Sequence, residues 1–302
     1  PAAAPAAPGV VVDDPAVAAA FGLVEAAVRL KATILIQGET GSGKELLARH
    51  AHAASGRRGP FVAVNCGALP DGLVEAELFG HVGGAYTGAR REGSVGLIAS
   101  ADGGTLLLDE IGELPLAQQA ALLRFLDDAL VRPVGGTTSR RVDVQLLAAT
   151  HVALDEAVAA RRFRADLLYR LDTVRVELPP LRRRADFAAA VRSVLAALDG
   201  ASRIDDAAID WLARHEWPGN FRELRSLLTR ALLRRGGGRL GLADVQPLLP
   251  PPAPAAASAL QQEARDLVRR AFERSGNVSR TARELGISRT TVYRHLRAPL
   301  GR

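Results

Sequence analysis

Gly38-Glu39-Thr40-Gly41-Ser42-Gly43-Lys44-Glu45 is the stretch whose reading decides the fold of this 302-residue chain. It follows an apolar run, Thr33-Ile34-Leu35-Ile36, and opens a helical pattern at Leu46-Leu47-Ala48-Arg49. Strand, glycine-rich turn, lysine and helix in that order make a cradle for phosphate. Glycines let backbone N–H groups curl around β- and γ-phosphates without an intervening Cβ, and the helix N-terminus adds its positive dipole end. Lys44 supplies a point charge. The chain has only two lysines, Lys31 and Lys44, among 39 basic residues, so a lysine in this slot stands out from a background of arginine. One departure is visible: the general pattern places Ser or Thr after the lysine to hold magnesium, and here Glu45 stands there. An ordinary strand-to-helix turn is the alternative.

Composition bounds the rest. The length implies two or three domains, and 48% hydrophobic with 24% charged residues is a soluble, globular balance. No apolar run is long enough to cross a bilayer and no signal peptide is visible, so a cytoplasmic protein without a membrane partner is expected. The single cysteine, Cys66, excludes an internal disulfide framework; it is either a nucleophile or a buried thiol. The net charge of +6 is uneven: from Arg265 to Arg302 ten arginines face Asp266, Glu273 and Glu284, a balance of +7, leaving −1 for the remainder. Basic character confined to the tail places a nucleic-acid partner there. The chain starts at a proline and lacks methionine, which suggests a piece of a longer or processed protein.

Read along its length, the chain begins with an Ala/Pro-rich linker, 1–13. Over 14–178, the apolar runs Phe61-Val62-Ala63-Val64, Thr105-Leu106-Leu107-Leu108 and Val144-Gln145-Leu146-Leu147-Ala148-Ala149 alternate with helical stretches. That alternation predicts an α/β fold, a helix-flanked and mainly parallel sheet. After Pro179-Pro180 only helical patterns follow, predicting an all-helical domain over 179–246. Residues 247–258, with Pro250-Pro251-Pro252, read as a linker, and 259–302 as a helical C-terminal domain.

Leu106-Leu107-Leu108-Asp109-Glu110 is an apolar strand ending in two carboxylates. Asp109 suits Mg²⁺ coordination and Glu110 suits polarising an attacking water, the two tasks that phosphoryl transfer sets beside a cradled phosphate. Alone the pair is weakly specific, because many strands end in a solvated acid. Gly84-Ala85-Tyr86-Thr87-Gly88-Ala89 reads either as a mobile loop with an exposed aromatic at its tip or as a tight turn with a half-buried tyrosine. Thr150-His151 ends a strand; His151 can bond a phosphate or water, or sit as a solvated surface histidine.

From about Asp14 to the C-terminus these motifs, in this order, resemble the bacterial enhancer-binding proteins, AAA+ P-loop ATPases that activate the sigma-54 form of RNA polymerase. The resemblance rests on Gly38–Glu45, where the family tolerates Glu after the lysine, and on Asn65-Cys66, Glu77-Leu78-Phe79-Gly80-His81 and Gly84–Ala89. It also rests on Gly103 to Leu114, Arg162 to Leu171, Leu178-Pro179-Pro180-Leu181-Arg182 and Trp217-Pro218-Gly219-Asn220-Phe221-Arg222-Glu223-Leu224. It implies ATP and Mg²⁺ as cofactors, bound through Gly38, Glu39, Thr40, Gly41, Ser42, Gly43, Lys44 and Glu45, with Arg222 contacting nucleotide from an all-helical lid. It implies Asp109 on the metal, Glu110 as the catalytic base, and Asn65 holding Glu110 from water until the partner engages. Arg164 and Arg170 match arginines that reach a neighbouring subunit's nucleotide, which implies a ring, a homo-hexamer or similar; otherwise they are two of 37 arginines on a solvated helix. Gly84, Ala85, Tyr86, Thr87, Gly88 and Ala89 match the loop that presses on sigma-54, with Tyr86 where the family carries phenylalanine. The family usually has Asn where His151 stands.

Within Gly276 to Leu296, Asn277 or Ser279 can cap one helix and Ser288 a second, with Gly286 between them. Ala282, Leu285, Val292 and Leu296 form the expected packing face, leaving Arg289, Thr290, Thr291, Arg294 and His295 outward for double-stranded DNA. This segment resembles the Fis-type helix-turn-helix of the same activators; a plain helical hairpin is the alternative. The combined expectation is an ATP-driven transcription activator that binds an upstream activating sequence. An AAA+ ATPase acting directly on DNA, or a repressor that binds nucleotide without hydrolysis, are the rival readings. The inducing signal belongs to a regulatory domain expected upstream of Pro1.

Overall fold

The structure is a computed structural model that describes residues 12–70, 72–86, 91–249, 266–272, 274, 278–288 and 291–292. Its α/β part carries strands β1 (Ile34–Gln37), β2 (Phe61–Asn65), β3 (Thr105–Asp109), β4 (Leu130–Val131), β5 (Arg140–Arg141), β6 (Gln145–Thr150) and β7 (Val174–Glu177). The helices of this part are α1 (Pro15–Arg29), α2 (Lys44–Ser55), α3 (Val74–Phe79), α4 (Leu97–Ser100), α5 (Leu116–Asp128), α6 (Leu154–Ala159) and α7 (Ala165–Leu171). Five strands form one wholly parallel sheet in the order β2-β3-β6-β1-β7. Strand β7 was not expected from sequence; Val174-Arg175-Val176-Glu177 is an edge strand bonded, among the described residues, only to β1, and it is too polar to read as a buried run.

Both faces of the sheet are covered, which is why its strands are continuous apolar runs. Leu35, Leu106, Leu108, Leu146 and Ala148 face a core shared with α3, α5, α6 and α7. Their neighbours Ile34, Ile36, Leu107, Leu147 and Ala149 face the other side, against α1 and α2. The two-residue side-chain period of a strand divides each run between the two cores. Helix α1 starts where Asp14 Oδ1 accepts the Ala16 and Val17 N–H groups at 2.9 and 3.1 Å, with Pro15 in the first turn.

The lid carries α8 (Phe187–Leu198), β8 (Arg203–Ile204), α9 (Asp206–Leu212), α10 (Asn220–Arg235), β9 (Arg239–Leu240) and α11 (Leu242–Val245). It is helical apart from the β8/β9 parallel pair, where Ile204 and Leu240 turn inward and each arginine turns out. A two-residue ladder is too short to leave a period in the sequence. The lid core surrounds the buried Trp217, whose indole N–H donates to Leu212 O at 2.9 Å. Leu249 is buried in this core and Leu248 packs against it, so this packing extends past residue 246. Buried apolar side chains there outweigh the proline-rich composition that suggested linker.

The chain divides into two units, Pro1–Leu249 and Pro250–Arg302. In the second, residues 266–272 are helical, Val278–Glu284 forms a helix, and Gly286 makes the turn with φ +64°. Val268, Ala282 and Val292 are buried together, with Leu285 packed against them. Ser288 Oγ accepts the Thr291 N–H at 3.0 Å, the expected cap of the following helix. Leu296, Arg289, Thr290, Arg294 and His295 lie outside the described residues. Among the described residues no helix is long and apolar enough to cross a membrane.

Candidate functional site

The parallel order places the C-terminal ends of β1, β3 and β6 side by side, the edge where open α/β sheets bind ligands. Gly38 leaves β1 there, its N–H donating to Thr150 O at the end of β6. Asn65 pairs with Asp109 in the β2/β3 register.

The loop is built for a close anionic ligand. Gly41 and Gly43 have φ of +78° and +105°, and Gly43 caps α2 with open space where a Cβ would stand. Lys44, buried, turns its ammonium inward, donating to Gly38 O at 3.0 Å and Glu39 O at 3.4 Å. Ser42 Oγ is buried and has no hydrogen-bond partner. An inward lysine and an orphaned hydroxyl on a helix N-terminus fit a phosphate chain. Glu45 points elsewhere: its carboxylate pairs with Arg49 at 2.7 Å on the exposed side of α2.

Glu110 sits at the centre of the charges. Its Oε1 lies 3.5 Å from Lys44 Nζ, and its Oε2 accepts from His151 Nδ1 at 2.5 Å and from the His151 N–H at 3.4 Å. Its own N–H donates to Asp109 Oδ1 at 3.0 Å, and its φ is +52°, in the left-handed region that a side chain disfavours. Burial raises the affinity of Glu110 for a proton, but the His151 hydrogen bond and the Lys44 charge prevail and hold its carboxyl below the usual range. Asp109 moves the other way: burial and the Glu110 charge raise it, against the pull of Lys44. Asp109 and Glu110, adjacent carboxylates at the end of β3 joined by the Glu110 N–H to Asp109 Oδ1 bond, have the hard oxygen donors that a divalent cation takes.

Asn65 is not joined to Glu110 here; its Oδ1 accepts the Gly67 N–H at 3.0 Å and caps a short 3₁₀ turn. Cys66 is buried, and burial followed by the Asp109 and Glu110 charges pushes its thiol up to about 12, so it is a packing thiol and no nucleophile. Arg164 is bidentate to Asp166 at 3.0 and 2.7 Å, and Arg170 reaches Leu126 O at 3.1 Å and Asp127 at 3.4 Å. Both are exposed, and among the described residues neither bonds to the Lys44–Glu110 cluster.

The lid closes over the loop through residues that sequence reading assigned otherwise or passed over. Glu39 accepts from Arg182 at 2.8 and 2.6 Å and from Asn220 Nδ2 at 3.1 Å. Asn220, fully buried, also donates to Thr40 O at 3.0 Å and accepts the Leu181 N–H at 2.7 Å, while Phe221 N–H donates to Gly41 O at 3.0 Å. The only local clue was an asparagine after Gly219, a residue that tolerates its observed φ of +49°. Arg222 stands over the loop, its Cβ 3.3 Å from where a Cβ on Gly41 would be. Beside the loop lies a cavity of about 280 Å³ walled mainly by Val17, Phe21, Leu46, Leu178, Val194 and Phe221, with Arg184 and Arg225 also lining it, of a size for a planar base.

Of the second expected site, Gly84, Ala85 and Tyr86 are described, and Thr87, Gly88 and Ala89 lie outside the described residues. Tyr86 is half-buried with its ring 5.2 Å from that of His81, not free at a tip. The two arms at the loop's root meet through glycine: a Cβ on Gly83 would fall 2.2 Å from Arg91 O, and one on Gly93 2.5 Å from His81 O. Thr291, expected to face outward, is partly buried with its hydroxyl 2.8 Å from Ser288 Oγ.

Three family models match the chain in sequence: the sigma-54 interaction domain over residues 10–177, the AAA+ ATPase lid domain over 183–262, and the bacterial regulatory protein, Fis family, over 262–298. The chain is similar to the acetoin catabolism regulatory protein of Cupriavidus necator, 44% identical over 284 residues, covering 87% of this chain and 42% of that protein. It is 42% identical to the transcriptional regulatory protein ZraR of Klebsiella oxytoca, covering 95% of this chain and 68% of that one. It thus spans about half the length of several curated relatives. A crystal structure of NtrX from Brucella abortus in complex with ATP superposes with a TM-score of 0.69 at 32% identity, over 95% of this chain and 68% of that one.

Proposed function

The chain belongs to the family of the sigma-54 interaction domain, with its AAA+ lid and a Fis-type C-terminal domain, and from that premise we propose that it is an ATP-hydrolysing transcription activator acting in the cytoplasm. The observation that carries the reading is the cluster of Lys44, Glu110 and Asp109 at one edge of the sheet, under a lid that touches the phosphate loop. Lys44 and the loop amides hold the phosphates of ATP, and Arg222 approaches from the lid. Asp109 holds Mg²⁺, which when bound supplies charge to neutralise the phosphate oxygens. Glu110 takes the water's proton direction in hand: its carboxylate accepts the hydrogen of a water aimed at the γ-phosphorus. With nucleotide bound and before the partner engages, Asn65 leaves the Gly67 N–H and restrains that carboxylate. Arg164 and Arg170 leave Asp166 and Asp127 to reach a neighbouring subunit's nucleotide, so the working form is a ring, a hexamer or similar.

The segment Gly84–Ala89 then contacts sigma-54 RNA polymerase, and the C-terminal unit holds upstream double-stranded DNA through Arg289, Thr290, Thr291, Arg294 and His295. The carboxylate pair favours hydrolysis over a repressor that only binds nucleotide, and the glycine-rooted loop favours a protein target over direct action on DNA.

Steady-state ATP hydrolysis tests the core of this reading. Glu110→Gln is expected to bind ATP with unchanged affinity and lose turnover by about 100-fold or more; undiminished ATPase in that variant would sink the assignment. Thr87→Ala is expected to keep the ATPase and lose sigma-54 binding, measured by co-sedimentation with sigma-54.

A further inference from the structure

Gln119, in the first turn of α5, is a fully buried polar side chain that sequence reading passed over. Its Nε2 donates to Leu114 O at 2.7 Å and to Arg162 O at 3.1 Å, and its Oε1 accepts the Arg164 N–H at 2.9 Å. A carboxamide has two N–H donors and one oxygen, so two carbonyls and one N–H around it leave a single orientation. All three partners are backbone groups. Two of them belong to one short segment, 43 and 45 positions along the chain.

That segment, Arg162-Phe163-Arg164, joins α6 to α7. Phe163 buries its ring in the sheet core, and the Arg162 N–H donates to Ala157 O at 2.8 Å. Arg164 is the N-cap of α7, with extended backbone at φ −82° and ψ 132°, and its carbonyl accepts the Leu168 N–H at 3.1 Å. Its N–H is the group that Gln119 takes. The backbone of Arg164 is therefore gripped on one side by the helix it opens and on the other by a buried amide. The guanidinium is held differently: it pairs with Asp166 at the surface, where both side chains are exposed. The third bond ties the amide to Leu114, just past the 3₁₀ turn Ile111–Glu113 that leaves β3, so the core and not the surface sets where Arg164 starts.

We propose that Gln119 is the positioning residue of Arg164: its amide fixes the backbone on both sides of Phe163 and so aims the Arg164 side chain out of the subunit, toward the nucleotide of its neighbour. The inference rests on the reading of the chain as a ring ATPase in which Arg164 acts in trans. A long side chain magnifies any tilt of its own Cα, and a misplacement of about 1 Å can cost about 100-fold in rate. An arginine that must leave Asp166 to reach across an interface needs a fixed root, and the buried amide supplies it.

Complementation tests this, with ATP hydrolysis by the whole chain as the readout and subunit exchange checked by fluorescence transfer. Gln119→Met keeps the length of the side chain and loses all three bonds; Gln119→Asn keeps an amide and draws it back by one methylene. Each alone is expected to lose about 10- to 100-fold in kcat. Affinity for a fluorescent ATP analogue stays within about twofold, because Lys44 and the loop amides are untouched. Mixed equally with Glu110→Gln, whose arginines are intact, about a quarter of the interfaces of a head-to-tail ring join an intact Glu110 to a well-placed Arg164, and ATPase returns to about that fraction of wild type. Mixed equally with Arg164→Ala, no interface has such a pair, and activity stays at the level of the separate variants. Any other pattern overturns the inference. Recovery with Arg164→Ala assigns Gln119 to its own subunit's site, and recovery with neither assigns it to the fold. Variants as fast as wild type, or two variants that do not fold, overturn it as well. The control is Arg164→Ala mixed with Glu110→Gln: recovery there leaves the ring reading standing whatever Gln119 does, and exchange without recovery overturns both.

Discussion

Lys44, Asp109 and Glu110 were legible as residues because their chemistry is local: a lysine closing a glycine turn and two acids closing an apolar strand. What the sequence did not disclose was the second partner of each. Glu39 read as a phosphate-loop residue, yet its carboxylate is held by Arg182 and Asn220, 143 and 181 positions away. No spacing rule reaches that far. Asn220 is the most exposed to test. Replacing it with Ala strands the buried Leu181 N–H, leaves the solvent-accessible Thr40 carbonyl to water, and removes a residue suited to φ +49°. One unmet buried donor costs about 1–3 kcal/mol and the left-handed backbone about 1 more for Ala, so Asn220→Ala is expected to lose about 2–4 kcal/mol in chemical denaturation. A loss under 1 kcal/mol would mean that water or a neighbour replaces the amide. Cys66 gives a second check at this scale. With its thiol pushed up to about 12, it should resist a thiol reagent at pH 8 in the folded chain and react fully in denaturant; fast labelling of the native protein would place it at the surface.

Among elements, the buried strands declared themselves by apolar runs, and the helices between them by periodicity. The edge strand Val174–Glu177 and the two-residue ladders did not, since each is specified by a partner strand more than by its own residues. The contact of the phosphate loop with the start of α10 is likewise a property of two elements together. A Cβ on Gly41 would fall 2.4 Å from Gly219 O, a backbone atom that cannot swing away, and Gly41 sits at φ +78°. Gly56, at the end of α2, has φ +65° but open space around it. Both Gly→Ala changes incur left-handed strain of about 1–2 kcal/mol. Only Gly41→Ala should also weaken ATP binding, because it lifts the lid from the loop. Equal effects of the two on nucleotide affinity would show that the lid contact is irrelevant to binding. The same contact is pH-dependent. Arg182 hydrogen bonds, opposed by burial and aided by Asn220, hold the Glu39 carboxyl below its ordinary range. A depressed folded pKa stabilises above the unfolded pKa and is lost as pH falls through the folded one. The Tm difference between wild type and Glu39→Gln should therefore be full at neutral pH and vanish in acid below the usual carboxylate range. A difference that grows toward acid would reverse the sign of this account.

For the molecule as a whole, Pro250-Pro251-Pro252 lies where the chain divides into two units, and the charge balance of the tail is what assigns the proposed nucleic-acid partner to the second of them. A single chain's sequence carries no such mark for assembly, and the arginines show why. In the lone chain Arg164 and Arg170 are satisfied by Asp166 and Asp127, acids within their own surroundings, at exposed positions where solvent screens such pairs. That is weak enough for a neighbour's phosphate to outbid, so self-pairing is compatible with action in trans. Complementation decides it. Homogeneous rings of Arg170→Ala lack the arginine at every interface, and rings of Glu110→Gln lack the base in every site, so each variant alone should be inactive. In an equal mixture, about a quarter of the interfaces of a head-to-tail ring join an intact Glu110 on one subunit to an intact Arg170 on the next. Mixing two dead proteins should then restore ATPase to about that fraction of wild type, provided subunits exchange, which fluorescence transfer between labelled chains verifies. If exchange is seen and the mixture stays inactive, Arg170 serves the nucleotide of its own subunit and the ring is not required for chemistry.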